Sequence, residues 1–142
     1  MYEKKELSAL LAQFRSQILR PYRDLSIALS EVPSAEKNRF FIYDKALCQL
    51  LELKASALAL IADSVGLADS EIQARFSQCI RLFLKAVELH IHVMSRLQRG
   101  DSLSSRQLKL SQNQIHRTLR EMSSALAFLK KCMQKKRLSA FT

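Results

Sequence analysis

The chain has 142 residues, 48% of them apolar and 25% charged. That is the size of one domain with a core of its own, and the composition excludes a disordered chain. Two Gly and two Pro are too few turn residues for a sheet protein, so long helices are expected. The 23 Lys and Arg against 13 Asp and Glu leave a formal charge of +10, a surplus that points to a polyanionic partner.

The first predicted helix runs from about Glu3 to Leu29. Its apolar residues, Leu7, Leu11, Phe14, Ile18, Tyr22, Leu25 and Leu29, recur by threes and fours. Pro21 lies inside this pattern and is expected to kink or divide the helix, because its ring removes a hydrogen bond. The first residues carry charge and no sustained apolar run, so no secretory signal is read there. Nowhere does an apolar run approach the ~20 residues of a membrane span.

Val32-Pro33-Ser34 ends this stretch, and Ser34 is a fair N-cap for a second helix over about 35–64. Gly66 is read as the C′ glycine that stops it. This helix is apolar on two sides. Phe40, Leu47, Leu51, Leu58, Ala62 and Val65 form one stripe, read as core. Ile42, Leu53 and Leu60, with Ala46 and Ala57 nearby, form another on roughly the opposite side. A helix apolar on two sides is normally buried on two sides, so Ile42, Leu53 and Leu60 are the candidate oligomer contact.

Asp69 or Ser70 caps a third helix over about 70–99, with Glu71 in its first turn. Ile72, Phe76, Cys79, Phe83, Val87, Ile91 and Met94 share its core face. Gly100-Asp101-Ser102 is the sharpest break in the chain. Ser104 or Ser105 then caps a fourth helix over about 104–136. Leu108, Ile115, Met122 and Leu129 form one row of its heptad, and Gln112, Leu119, Leu126 and Met133 the other. Four long helices with short loops predict a single all-α domain over 1–142, an antiparallel up-down four-helix bundle.

The charge is lopsided. Residues 1–66 hold 9 Lys and Arg and 8 acids, a net of +1, whereas residues 67–142 hold 14 and 5, a net of +9. At 100° per residue, Arg81, Lys85, His92, Arg96 and Arg99 fall opposite the core face of the third helix, with Glu88 as the only acid among them. On the fourth helix Arg106, Lys109, Arg117, Arg120, Lys131 and Lys135 share one sector. Lys130, Lys136 and Arg137 add to its basic end. From Ser102 to Thr142 there are 9 basic residues against Glu121 alone. Like charges three or four apart destabilise an isolated helix, so a one-sign stripe is better explained by a polyanion than by fold stability. Nucleic acid fits, through phosphate contacts. Phe40, Phe41, Tyr43, Phe76 and Phe83 read mostly as core, leaving the stripes without stacking platforms. Recognition would therefore follow backbone and shape, as suits structured RNA or an RNA–DNA duplex.

Catalytic residues are not expected. His90 falls on the core side of the third helix and His92 on the basic side, so the two cannot chelate one metal. No Glu-x-x-His pair, P-loop, GxGxxG or GxSxG occurs. Cys48, Cys79 and Cys132 show no pairing or metal pattern, and read as reduced thiols of a cytoplasmic protein. No metal or cofactor is expected.

Several stretches resemble the accessory variability determinant (Avd) proteins of diversity-generating retroelements. These are small, basic four-helix bundles related to proteins encoded in ribosomal RNA intervening sequences. The similar stretches are Tyr22-Arg23-Asp24-Leu25, Val32-Pro33, Arg39-Phe40, Leu50-Leu51-Glu52 and Ile80-Arg81-Leu82-Phe83. Leu103-Ser104-Ser105-Arg106-Gln107 and Phe128-Leu129-Lys130-Lys131 also look similar. Together they cover about Ile18 to Cys132. The chain departs from the pattern at Ile42-Tyr43, where the family often has Gly, and at Ser123-Ser124-Ala125, in place of a Gly-rich turn. The resemblance implies a ring-shaped homo-oligomer, with a pentamer as one form. It also implies binding to a reverse transcriptase and its structured template RNA, in support of mutagenic cDNA synthesis without catalysis by the bundle. The alternative reading is a helical protein–protein adaptor, such as a secretion-type chaperone, whose basic face meets an acidic partner.

Overall fold

The first apolar pattern folds into α1 (Leu7–Phe14), a π-helical turn (Arg15–Leu19) and α2 (Arg20–Ser30). The computed structural model describes residues 7–31, 38–100 and 103–140, with the side chains of 136–140 outside the description. Pro21 accounts for the π turn. In a regular helix its ring would press on the Gln17 carbonyl one turn back. Here the preceding turn is widened, and the Arg20 N–H donates to the Arg15 carbonyl, five residues earlier. The helical stretch therefore passes through the proline by way of a π bulge, a recognised response to strain in the ladder.

α3 (Arg39–Asp63) ends in a 3-10 turn (Ser64–Gly66), α4 spans Ser70–Gln98 and α5 spans Ser105–Ala140. No strand occurs among the described residues. The expected Val32-Pro33-Ser34 break, the Ser34 cap, the start near Glu3 and the Asp101-Ser102 pair lie outside the described residues.

The caps explain the remaining boundaries. Asp69 accepts from the N–H groups of Glu71 and Ile72 at 2.9 and 3.1 Å, which fixes the start of α4. Ser104 and Gln107 form a reciprocal capping box: Gln107 N–H donates to the Ser104 hydroxyl at 3.1 Å, and Ser104 N–H donates to the Gln107 side chain at 3.0 Å. Gly66 is not the left-handed C′ glycine the sequence suggested; it closes the 3-10 turn without a positive φ. Gly100 is, with φ +80° just past the end of α4 and its N–H donating to the Leu97 carbonyl.

Four helical stretches pack around one core, with α4 against both α3 and α5. α4 buries Phe76, Cys79, Phe83 and Val87 as expected. Phe14 and Tyr22 each meet the Phe83 ring edge-on, with centroids 5.3 Å apart, a geometry worth about 0.5–1.5 kcal/mol per pair beyond the buried area. In α5 the Ile115, Met122 and Leu129 row is buried together with Leu126.

The two stripes of α3 are the main correction. Leu53 and Leu60 are 9% and 1% exposed and belong to the core with Ala46, Leu50 and Ala57; Ile42 is partly buried. The stripe read as core is the exposed one, with Leu51 and Leu58 at 51% and 50%. The small side chains decide the direction. Ala46 and Ala57 let α3 approach the bundle closely, and the leucines between them fill the remaining space. Leu53 and Leu60 are therefore not available to another subunit.

Candidate nucleic-acid interface

The basic residues sit where the core pattern leaves them. In α4 the apolar face is turned inward, and Arg81, Lys85, His92 and Arg99 are exposed, with Arg96 partly so. Glu88, the one acid of this row, is bonded to Lys54 of α3 at 3.4 Å. Its charge is thus partly committed to a neighbouring helix. Arg81 is steadied by the Ser77 hydroxyl at 3.2 Å.

In α5, Arg106, Lys109, Arg117, Arg120, Lys131 and Lys135 are exposed and Lys130 is partly buried; the side chains of Lys136 and Arg137 lie outside the described residues. None of the seven described α5 cations forms an ion pair among the described residues. Mixed-sign pairs along a solvated helix contribute a few tenths of a kcal/mol each. α5 forgoes them along its whole outer face.

The stacking surface is richer than the sequence suggested. Phe40 and Phe41 are exposed rather than core, because α3 turns its other face inward. The Arg39 guanidinium lies 5.0 Å from the Phe40 ring centre. Phe128 of α5 is also exposed, and Arg75 of α4 stacks over it at 4.5 Å, across the seam between the two helices. Phe128 escaped the reading of aromatics although its heptad position, away from Leu126 and Leu129, marks it as outward. Arg15, Arg20 and Arg23 escaped too, because charge was tallied by segment and the first 66 residues net only +1.

A separate cleft of about 780 Å³ opens at one end of the bundle, lined by Arg39, Phe40, Tyr43, His90, Gln112 and His116 among others. His90 is buried, as expected, and its Nδ1 lies 3.1 Å from the Tyr22 hydroxyl. Burial raises the Tyr22 phenol far above its usual range and lowers His90 below its own. The direction of this bond follows the imidazole tautomer, Nδ1 accepting from the phenol in one and donating to it in the other. The two buried side chains satisfy each other.

No group of three or more His, Cys, Asp or Glu that could hold a metal ion occurs among the described residues. Of the cysteines, Cys79 is buried, Cys132 is partly buried and Cys48 is exposed. Burial pushes the Cys79 thiol up to about 11 against a backbone hydrogen bond that lowers it. No helix among the described residues is long and apolar enough to cross a membrane. Compared with protein-family models, with curated proteins and with solved structures, the chain gives no match.

Proposed function

We propose that this protein is a non-catalytic, nucleic-acid-binding accessory bundle of the cytoplasm, which grips a structured RNA or RNA–DNA duplex by the outer faces of α4 and α5. One observation carries the reading: the seven described cations of α5 are exposed or half-exposed, unpaired among the described residues, and accompanied on that helix by Glu121 alone. The rows hold the phosphate backbone, and Phe128 with Arg75 adds one surface on which a base can stack. The cytoplasmic assignment rests on three cysteines that are free.

The bundle is read as up-down and antiparallel. Four contacts support this order. Lys54 meets Glu88, Arg75 meets Phe128, and Phe14 and Tyr22 run along α4 beside Phe83 and His90. The Avd resemblance would specialise the ligand to a template RNA and add a reverse transcriptase as partner, with the bundle as one subunit of a ring. Any such assembly would use the exposed ridge of α3, Phe40, Leu51, Leu58 and Val65. That ridge also favours the adaptor reading, in which a protein covers it.

The test is fluorescence anisotropy of a labelled RNA hairpin between about 50 and 200 mM salt. Affinity is expected to fall steeply with salt, and R117E/R120E/K131E to abolish binding while the helical circular dichroism stays. Binding that ignores either change rejects the basic-face reading. Sedimentation addresses assembly: a monomer of 16.3 kDa rejects the ring.

A further inference from the structure

A second basic site adjoins the outer row of α5, in the seam between the N-terminal helical stretch and the C-terminal half of α5. The N-terminal stretch approaches α3 more closely than α5. The gap on the α5 side is a groove of about 810 Å³ with Leu19 and Leu126 among its lining residues. Both leucines are buried, so the groove stands over a closed core. One wall presents Arg15, Arg20 and Arg23, and the other Lys130 and Lys131. Asp24 is the only acid among the lining residues, and none of the five cations forms an ion pair among the described residues.

The π turn builds the first wall. Five residues of regular helix turn by about 500°, which would leave Arg15 and Arg20 some 140° apart. Widening the turn takes up the extra residue, so Arg20 follows Arg15 along one edge and bonds to its carbonyl. Pro21, a local irregularity in the sequence, thereby sets two guanidinium groups on the same side.

The charge pattern identifies the occupant. Where two helices of a bundle flank a seam, opposite charges across it stabilise the pairing. Here cations face cations across the gap, an arrangement that opposes closure unless an anion lies between them. The walls run from Arg15 to Ile27, about 18 Å at 1.5 Å per residue, room for about five phosphates at 3.4 Å per charge along one duplex strand. Lys131 belongs both to this groove and to the outer row of α5, so the two surfaces are continuous.

We infer that the groove seats the phosphodiester backbone of the same nucleic acid, with Arg15, Arg20 and Arg23 as phosphate-binding residues. This rests on the nucleic-acid reading above. It enlarges the interface from two helices to three and gives the N-terminal arginines a role.

The test compares salt slopes for the labelled RNA hairpin. Each phosphate contact removed lowers the slope of log affinity against log salt by about 0.7–0.9. Arg20→Gln and Arg23→Gln should each lose one such step, and R15Q/R20Q/R23Q about three, with helical circular dichroism and melting temperature unchanged. A graded loss of this kind is not produced by misfolding. If the triple variant keeps the wild-type affinity and slope while R117E/R120E loses binding, the groove is not a phosphate seat; an acidic protein segment as its occupant would give that result. Wild-type protein that binds no RNA overturns the functional reading and the groove together.

Discussion

α4 and α5 are neighbours and the two longest helices, yet they are built to opposite specifications. α4 buries eleven side chains, including Phe76 and Phe83, and touches every other helical stretch through its side chains or backbone. α5 contributes a narrow buried row and leaves an outer face that is mostly polar and cationic, with Leu110 and Phe128 exposed beside it. The core's free energy is therefore concentrated on α4, whereas the outer face of α5 can change charge at little cost to the fold. Charge can accumulate on α5 because little of the core depends on its outer face, whereas α4 carries its cations only on the strip that its neighbours leave open.

Phe83→Ala should strike hardest. The ring is fully buried and meets both Phe14 and Tyr22, so its loss combines a cavity with two broken aromatic contacts, about 3–5 kcal/mol by urea denaturation. The matching change on α5, Arg117→Glu with Arg120→Glu, should move stability by less than about 0.5 kcal/mol. A large stability loss from the α5 pair would mean that its outer face is structural after all, and the contrast between the helices would fail.

The second comparison lies within α3. Leu60→Ala should cost about 2–5 kcal/mol, and Leu58→Ala less than about 0.5 kcal/mol in a monomer. The two residues are two positions apart on one helix and differ in the face they occupy. A Leu58→Ala cost that grows with protein concentration would show that the exposed ridge is covered by a second copy.

That inversion marks the limit of what periodicity can tell. Spacing identified two apolar stripes on α3, and both exist, but a helical wheel carries no sign for inside. The alanines held the missing information, since close approach of helices selects small residues. Elsewhere the local chemistry was legible: Asp69, Ser104 and Gly100 mark their helix ends, and His90 falls in the core. The groove was not, because Arg15 and Arg20 share a wall only through the π turn, and Lys130 and Lys131 reach it from the far end of the sequence. A tally of charge by segment separates what tertiary packing joins.

The effect expected at the Tyr22–His90 pair depends on pH, and its sign follows from burial. Desolvation lowers the His90 pKa in the folded protein, whereas the unfolded chain keeps a value near 6.5. Below that value the unfolded state takes up a proton that the folded state resists. Stability from this group is therefore complete above about pH 6.5 and is lost as pH falls toward the folded pKa, with a slope no steeper than about 1.4 kcal/mol per pH unit. In the protonated imidazole Nδ1 is a donor, so the phenol must accept to keep the 3.1 Å bond. Tyr22→Phe leaves the buried Nδ1 without its partner. It should cost about 1–3 kcal/mol at neutral pH, and the change of that cost with pH reports which protonation state the bond favours. Urea midpoints of wild type and Tyr22→Phe, followed from pH 8 to about pH 5, measure both. Parallel curves would mean that the hydrogen bond does not distinguish the two protonation states, and that burial alone holds His90 neutral.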